Sequence, residues 1–104
     1  MTSNSYQKGS VRCIIFKEDN TWFGAALEFN IVETGEDPRE VMVLLDEAIR
    51  GYITSGKKSN IRQHILNQVV DPEYEHLWLG KDEPGLIPSP IQVHSFSERS
   101  LAVA

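Results

Sequence analysis

The sequence predicts an α+β fold, in which one long helix packs on an antiparallel three-stranded sheet. One or two short helices and a C-terminal strand or arm are expected to follow. Residues 11–34 carry three β-rich runs, which indicate the strands. Residues 37–56 combine a helix cap with apolar residues spaced three and four apart. Residues 80–90 hold Gly or Pro at five positions, which is typical of a connector.

The strands are predicted from runs of β-branched and aromatic residues. Val11–Phe16 and Trp22–Leu27 form a hairpin around the polar residues 17–20. A third strand runs from Phe29 to Thr34 and ends at Gly35. The second strand contains three small residues that leave room for a helix to lie close, namely Gly24, Ala25 and Ala26.

The helix is the element that the sequence marks best. Asp37 is a good N-cap, Pro38 suits the first helical position, and Glu40 stands where a capping-box carboxylate reaches back. Gly56 is expected to cap the C-terminus. One apolar stripe runs along the helix, at Val41, Leu44, Leu45, Ala48, Ile49, Tyr52 and Ile53.

The C-terminal half carries weaker signals. Asn60 is placed to cap a short helix within residues 60–70, and Asp71 with Pro72 repeats the pattern for residues 72–79. Alternation at residues 91–96 predicts a short strand. The chain is therefore divided into three parts. Residues 1–10 form a flexible N-terminus, residues 11–79 an α+β domain with a short helical extension, and residues 80–104 a connector with a C-terminal arm.

Composition places the chain among ordinary globular proteins. Its 104 residues suffice for one domain, and its formal net charge of −5 offers no general field for phosphates. An acidic protein suits a basic partner. The single cysteine, Cys13, indicates a reducing compartment, and no apolar stretch is long enough to span a membrane. Since residues 1–10 do not have the pattern of a signal peptide, we expect a cytoplasmic protein.

One segment carries a family resemblance. Residues Ala26–Val41 resemble the central stretch of HicB-type antitoxins, and Leu45 and Glu47–Ile49 match the family's helix. The resemblance covers about residues 11–55. It implies a β-β-β-α unit of the truncated ribonuclease-H-like kind without nuclease activity. It also implies a homodimer or larger assembly that neutralises a small basic ribonuclease toxin by covering it.

The chain departs from the family pattern in two places. The proline-glycine segment that family members carry between strands two and three is replaced by Glu28–Asn30. The C-terminal helices do not resemble a DNA-reading module, because the second would present Glu73 and Glu75 to phosphates. These two departures argue against autoregulation by this chain and against a dedicated toxin.

The residues that could carry catalysis do not form a pattern. A ribonuclease-H site needs several carboxylates on strands, and residues 11–16 contain none. His64, His76 and His94 lack metal-ligand spacing, and Cys13 alternates with apolar neighbours as a buried thiol does. We therefore predict no catalytic, cofactor or metal site, and hence no enzyme.

The aromatic residues suggest a binding surface instead. Trp22, Trp78 and Tyr74 are the candidate partner-binding residues, since Trp and Tyr are enriched among interface hot spots. Packing in the core is the competing interpretation.

Three functions remain open from the sequence. The first is a non-catalytic interaction protein that resembles a HicB-type antitoxin, forms homo-oligomers and masks a small basic protein. The second is a transcriptional regulator that binds nucleic acid through a weak basic patch of Lys57, Lys58, Arg62 and His64. The third is an oligomeric structural protein without a toxin partner. The acidic charge balance favours the first over nucleic-acid binding.

Overall fold

A computed structural model describes residues 3–6, 8–59 and 63–101, without the side chains of Gln63 and His64. It begins with the predicted hairpin, formed by β1 (Ser10–Glu18) and β2 (Thr21–Ala26). Glu18 lies opposite Thr21, so only two residues form the turn. Asp19 takes a left-handed φ of 57°, which Asp tolerates better than most residues.

The third strand begins later than predicted, because a turn intervenes. Leu27–Phe29 forms a short 3₁₀ turn, and β3 follows as Ile31–Gly35. Asn30 reverses the chain with a left-handed φ of 54°. Leu27 and Phe29 are both buried but belong to different apolar clusters, so the turn sends one side chain to each face of the sheet.

The long helix is confirmed as α1 (Pro38–Lys58). The Asp37 carboxylate accepts a hydrogen bond from the Glu40 backbone N–H at 2.8 Å, which makes Asp37 the N-cap. The predicted C-cap at Gly56 is wrong, since the helix continues to Lys58 and Ser59 caps it. A Cβ on Gly56 would lie 2.8 Å from Ile65, so close packing accounts for this glycine.

The helix α1 covers one face of the sheet, hereafter the α1 face. It packs mainly on β2 and β3. A Cβ on Gly24 would lie 2.6 Å from Val41 of α1, so this glycine allows the close approach that the sequence predicts. The buried cluster between helix and sheet consists of Val11, Cys13, Ile15, Ala26, Phe29, Val41, Leu45, Ile49, Ile53, Leu66 and Leu101.

A second layer covers the opposite face, hereafter the α2 face. It contains α2 (Pro72–Leu79), which confirms the second predicted C-terminal helix, and the connector that follows. Asp71 accepts a hydrogen bond from the Glu73 N–H at 2.9 Å and caps α2 as predicted. The buried residues of this layer are Ile14, Phe16, Ala25, Leu27 and Leu77.

The C-terminal strand joins the same sheet. β4 (Gln92–Ser100) is longer than the predicted residues 91–96 and pairs antiparallel with β1 of its own chain. The sheet therefore has four strands, in the order β3-β2-β1-β4, instead of the expected three. The C-terminal arm is thus an integral part of the fold, with β4 at one edge of the sheet.

Residues before and after the helices close the structure at one end. Asn4 is buried, and its side chain donates to the Leu66 carbonyl at 2.9 Å and accepts from the Ser10 N–H at 2.8 Å. The described part of the expected short helix is a 3₁₀ turn at Gln63–Leu66. Its expected cap, Asn60, lies outside the described residues. None of the described helices is both long enough and apolar enough to cross a membrane.

Candidate functional site

The three candidate aromatic residues do not share one surface. Tyr74 and Trp78 stand one turn apart on α2 and pack against the α2 face of the sheet. Trp22 packs with the cluster beneath α1, on the other face. A single partner surface can therefore include Tyr74 and the surroundings of α2, but not Trp22.

A groove opens beside Tyr74 on the α2 face, and we call it the α2 groove. It runs between α2, the ends of β1 and β2, and residues 88–91, with a volume of about 540 Å³. Its apolar lining comprises Phe16, Phe23, Pro72, Tyr74, Leu77, Pro88 and Ile91. A cleft of this size and character can receive two or three apolar side chains of a partner.

Stacked rings form the floor of the α2 groove. Phe16 and Phe23 lie opposite each other on β1 and β2, with ring centroids 5.2 Å apart and planes inclined by 14°. Tyr74 leans over Phe16 at 6.2 Å. The three rings are held by the sheet register and by α2, so the groove is preformed and needs little ordering on binding.

Carboxylates surround this aromatic floor. Glu18 and Glu73 line the α2 groove, and Asp71 caps the helix beside it. The pKa of the Tyr74 hydroxyl is raised above its ordinary value, first by burial and then by the negative charges of Asp71, Glu73 and Glu18. The same negative field favours a cation at the rim of the groove.

His76 connects α2 to the connector. Its Nε2 lies 3.1 Å from the Leu86 carbonyl oxygen. This contact holds the 3₁₀ turn Pro84–Leu86 against α2, and the chain then runs on to Pro88 and Ile91 at the far wall of the groove. His76 therefore helps to position the groove.

Trp78 is held by neighbours from its own chain. Its ring meets Phe96 of β4 edge-on at 5.6 Å. The Arg12 guanidinium lies 5.5 Å and the Lys81 ammonium 5.6 Å from the ring centroid, so two cations already occupy its surroundings. Trp78 is half-buried in this arrangement and serves the packing of α2 on the sheet.

Trp22 has a comparable packing role on the α1 face. His94 of β4 meets it edge-on at 5.9 Å, and the Lys17 ammonium lies 5.9 Å from its centroid. Of the three predicted partner-binding residues, only Tyr74 lies in the α2 groove.

An ion-pair cluster centred on Arg12 lies beside the groove, and the sequence did not predict it. Arg12 donates from Nε to Glu28 at 2.6 Å and from both Nη atoms to Glu75 at 2.6 and 2.9 Å. Glu98 of β4 lies opposite Arg12 in the sheet register. The sequence held one signal for this cluster, because Arg12 is the one charged residue in the apolar run Val11–Phe16. A charge on a largely buried strand needs partners of opposite charge.

The predicted basic patch is only partly described. Lys57 and Lys58 are exposed in the last turn of α1. Arg62 and the side chain of His64 lie outside what the structure describes. The two lysines lie where cations complement the helix dipole, which accounts for them without a ligand.

The described residues form no group of three or more His, Cys, Asp or Glu side chains that could hold a metal ion. Cys13 is buried, and burial raises the pKa of its thiol to about 11. It belongs to the core beneath α1, as the alternation of the first strand predicts.

No family model, curated protein or solved structure matches this chain. The likeness to HicB-type antitoxins therefore depends on residues Ala26–Val41 and on the helix that follows them.

Proposed function

We propose that this chain is a non-catalytic interaction protein, and that its α2 groove binds a small basic protein. The observation that carries the proposal is the combination of a preformed aromatic floor and an acidic rim in one groove. An apolar side chain of the partner would contact Phe23 and Tyr74, which lie over the buried Phe16. A neighbouring Lys or Arg would meet Glu18 or Glu73.

The aromatic floor would supply most of the affinity. Aromatic side chains at the centre of an interface dominate binding energies, whereas charges at its rim mainly fix orientation and partner choice. Tyr74 is half-buried, so it can stack on a partner side chain without a large rearrangement. This division of roles makes the floor responsible for affinity and the rim for selectivity.

The charge of the whole chain supports the same class of partner. A net charge of −5 on 104 residues attracts a basic protein over a distance and accelerates its association. The resemblance to HicB-type antitoxins points in the same direction, because members of that family cover a small basic toxin. We propose masking of such a partner, and not catalysis, as the activity.

The proposal is tested by selecting peptides from a random displayed library on the immobilised protein. We expect enrichment of peptides that carry Lys or Arg next to aromatic or aliphatic residues. The double variant Glu18→Lys/Glu73→Lys should bind the enriched peptides about tenfold more weakly or worse, because the rim becomes repulsive.

A matched control separates the groove from the net charge. Glu36→Lys/Glu47→Lys changes the charge by the same amount at two exposed residues near and on α1. It should retain binding within about twofold, because only long-range steering changes. The absence of any enriched basic peptide, or equal losses in both double variants with native circular dichroism, would overturn the proposal.

A further inference from the structure

We infer that the outer edge of β4 pairs antiparallel with β4 of a second copy of this chain, so that two four-stranded sheets join about a twofold axis. This interface is independent of the proposed function. It uses the α1 face and the sheet edge, whereas the α2 groove lies on the opposite face.

The length of β4 makes its edge unusual. Within the described residues no strand pairs with its outer side, and it spans nine residues, or about 30 Å at 3.4 Å per residue. The opposite edge strand, β3, has five residues. Long edges present a row of backbone donors and acceptors, and proteins usually shorten, twist or cover them.

Two of the features that protect edge strands, proline and β-bulges, leave most of β4 regular. Gln92–Ser100 contains no proline, and its one bulge lies near the start, where the register shifts between Ile15 and Phe16 of β1. From Ser95 onward the pairing with β1 is regular. The charged Arg99 is bound to Asp46 of α1, so its charge lies over the α1 face and does not project from the edge.

Charge along β4 restricts the register of such a dimer. In antiparallel pairs around a twofold axis, one residue lies opposite its own copy, and like charges placed this way are destabilising. Registers centred on Glu98 or Arg99 are therefore disfavoured. Centring on the exposed Ser97 places serine opposite serine, with Glu98 opposite Phe96 and Arg99 opposite Ser95 of the copy.

The neighbouring surface of α1 supports the same arrangement. Because α1 lies mainly over β2 and β3, the α1 face of β4 stays open. Met42 and Val43 are 47% and 53% exposed beside this opening, which they line together with His94 and Arg99. When two β4 strands pair about Ser97, the open α1 faces of the two copies lie side by side. Each copy then covers part of the apolar surface around Met42 and Val43 that the other would leave exposed to water.

Introducing a positive or a negative charge at Ser97 tests the interface. The wild-type protein should have twice the 11.8 kDa chain mass by light scattering across a dilution series. Ser97→Lys and Ser97→Asp should each dissociate to the chain mass, because each places like charges opposite each other. An equimolar mixture of the two variants should recover the dimer, which misfolded chains would not do.

Ser55→Lys is the matched control, since Ser55 is exposed on α1 beside Ile31, at the β3 side of the sheet. It should leave the dimer intact. A monomeric wild-type protein, or an assembly that both Ser97 variants leave unchanged, would overturn the inference.

Discussion

Arg12 of β1 and Glu75 of α2 form a two-point ion pair, with Nη1–Oε1 and Nη2–Oε2 distances of 2.6 and 2.9 Å. Both oxygens of the carboxylate face the guanidinium, which is the strongest geometry available to such a pair. The same Arg12 also binds Glu28. Because α2 carries Tyr74 and Glu73, this pair helps to fix one wall of the α2 groove on the sheet.

Removal of the Glu75 charge should loosen α2. We expect Glu75→Gln to lower the free energy of unfolding by about 0.5–1.5 kcal/mol, a modest value because half of the Glu75 side chain is exposed. Glu47→Gln, at an exposed residue of α1, should change it by less than about 0.5 kcal/mol. Urea unfolding at neutral pH measures both. Equal midpoints for Glu75→Gln and the wild type would show that the pair contributes nothing.

The contribution of Glu75 should depend on pH in one direction. The hydrogen bond from Arg12 lowers the pKa of Glu75 below its ordinary value of 4.5. The stabilisation is therefore fully present above pH 4.5 and is lost as the pH falls through the lowered pKa. The difference in unfolding free energy between wild type and Glu75→Gln should shrink over that acidic range. A difference that grows on acidification would contradict the assignment.

The N-cap and the core face of α1 should differ in their effect on stability. Asp37→Ala removes the bond to the Glu40 N–H and should cost about 1 kcal/mol. Leu45→Ala empties a buried position and should cost about 2–5 kcal/mol. Thermal or urea unfolding measures the difference. Equal, negligible shifts for both variants would contradict this account of α1.

Two glycines should respond oppositely to alanine. A Cβ at Gly24 would lie 2.6 Å from Val41, so Gly24→Ala should destabilise the protein by about 1–3 kcal/mol. Gly51 lies in α1, and no neighbouring atom of the described residues comes within 4 Å of the added carbon, so Gly51→Ala should stabilise the protein by up to about 1 kcal/mol. The urea midpoints of unfolding of the two variants and the wild type measure both effects. An unchanged midpoint for Gly24→Ala would contradict the close packing of β2 against α1.

The Cys13 thiol should be unreactive in the folded state. It is 3% exposed, and burial raises the pKa of the thiol to about 11, so little thiolate exists at neutral pH. A thiol reagent such as dithionitrobenzoate should label it only after addition of denaturant. Rapid labelling under native conditions would show that the α1 face opens readily.

Local signals explain why the helices could be predicted. Asp37 and Asp71 both accept the expected backbone hydrogen bonds, because capping depends on residues two or three positions apart. The end of α1 was misplaced since Gly56 is required by packing against Ile65, a contact that no local pattern reveals. The turn before β3 contains no glycine or proline, so its sequence does not look like a turn. Only Asn30, which accepts a left-handed φ more readily than most residues, indicates it.

The sheet edge and the groove depend on distant residues. β4 pairs with β1 across about 80 residues of chain, so the alternation at 91–96 predicts a strand but not its partner. Glu18 and Glu73 meet at one rim although they belong to different elements. Trp22 and Phe23 are neighbours on β2 and lie on opposite faces of the sheet, with Phe23 in the groove. The alternation of side chains along a strand makes this separation predictable, although the sequence analysis grouped Trp22 with Tyr74 and Trp78.

Site-specific photocrosslinking in the native host tests the central claim most directly, namely that the α2 groove binds a small basic protein. A photoreactive benzoylphenylalanine replaces Glu73 at the groove in one version and the exposed Thr54 of α1 in another. We predict that position 73 captures a small basic protein, that position 54 does not, and that Glu18→Lys reduces the capture. Capture of no protein, of an acidic protein, or of the same proteins from both positions would contradict the account.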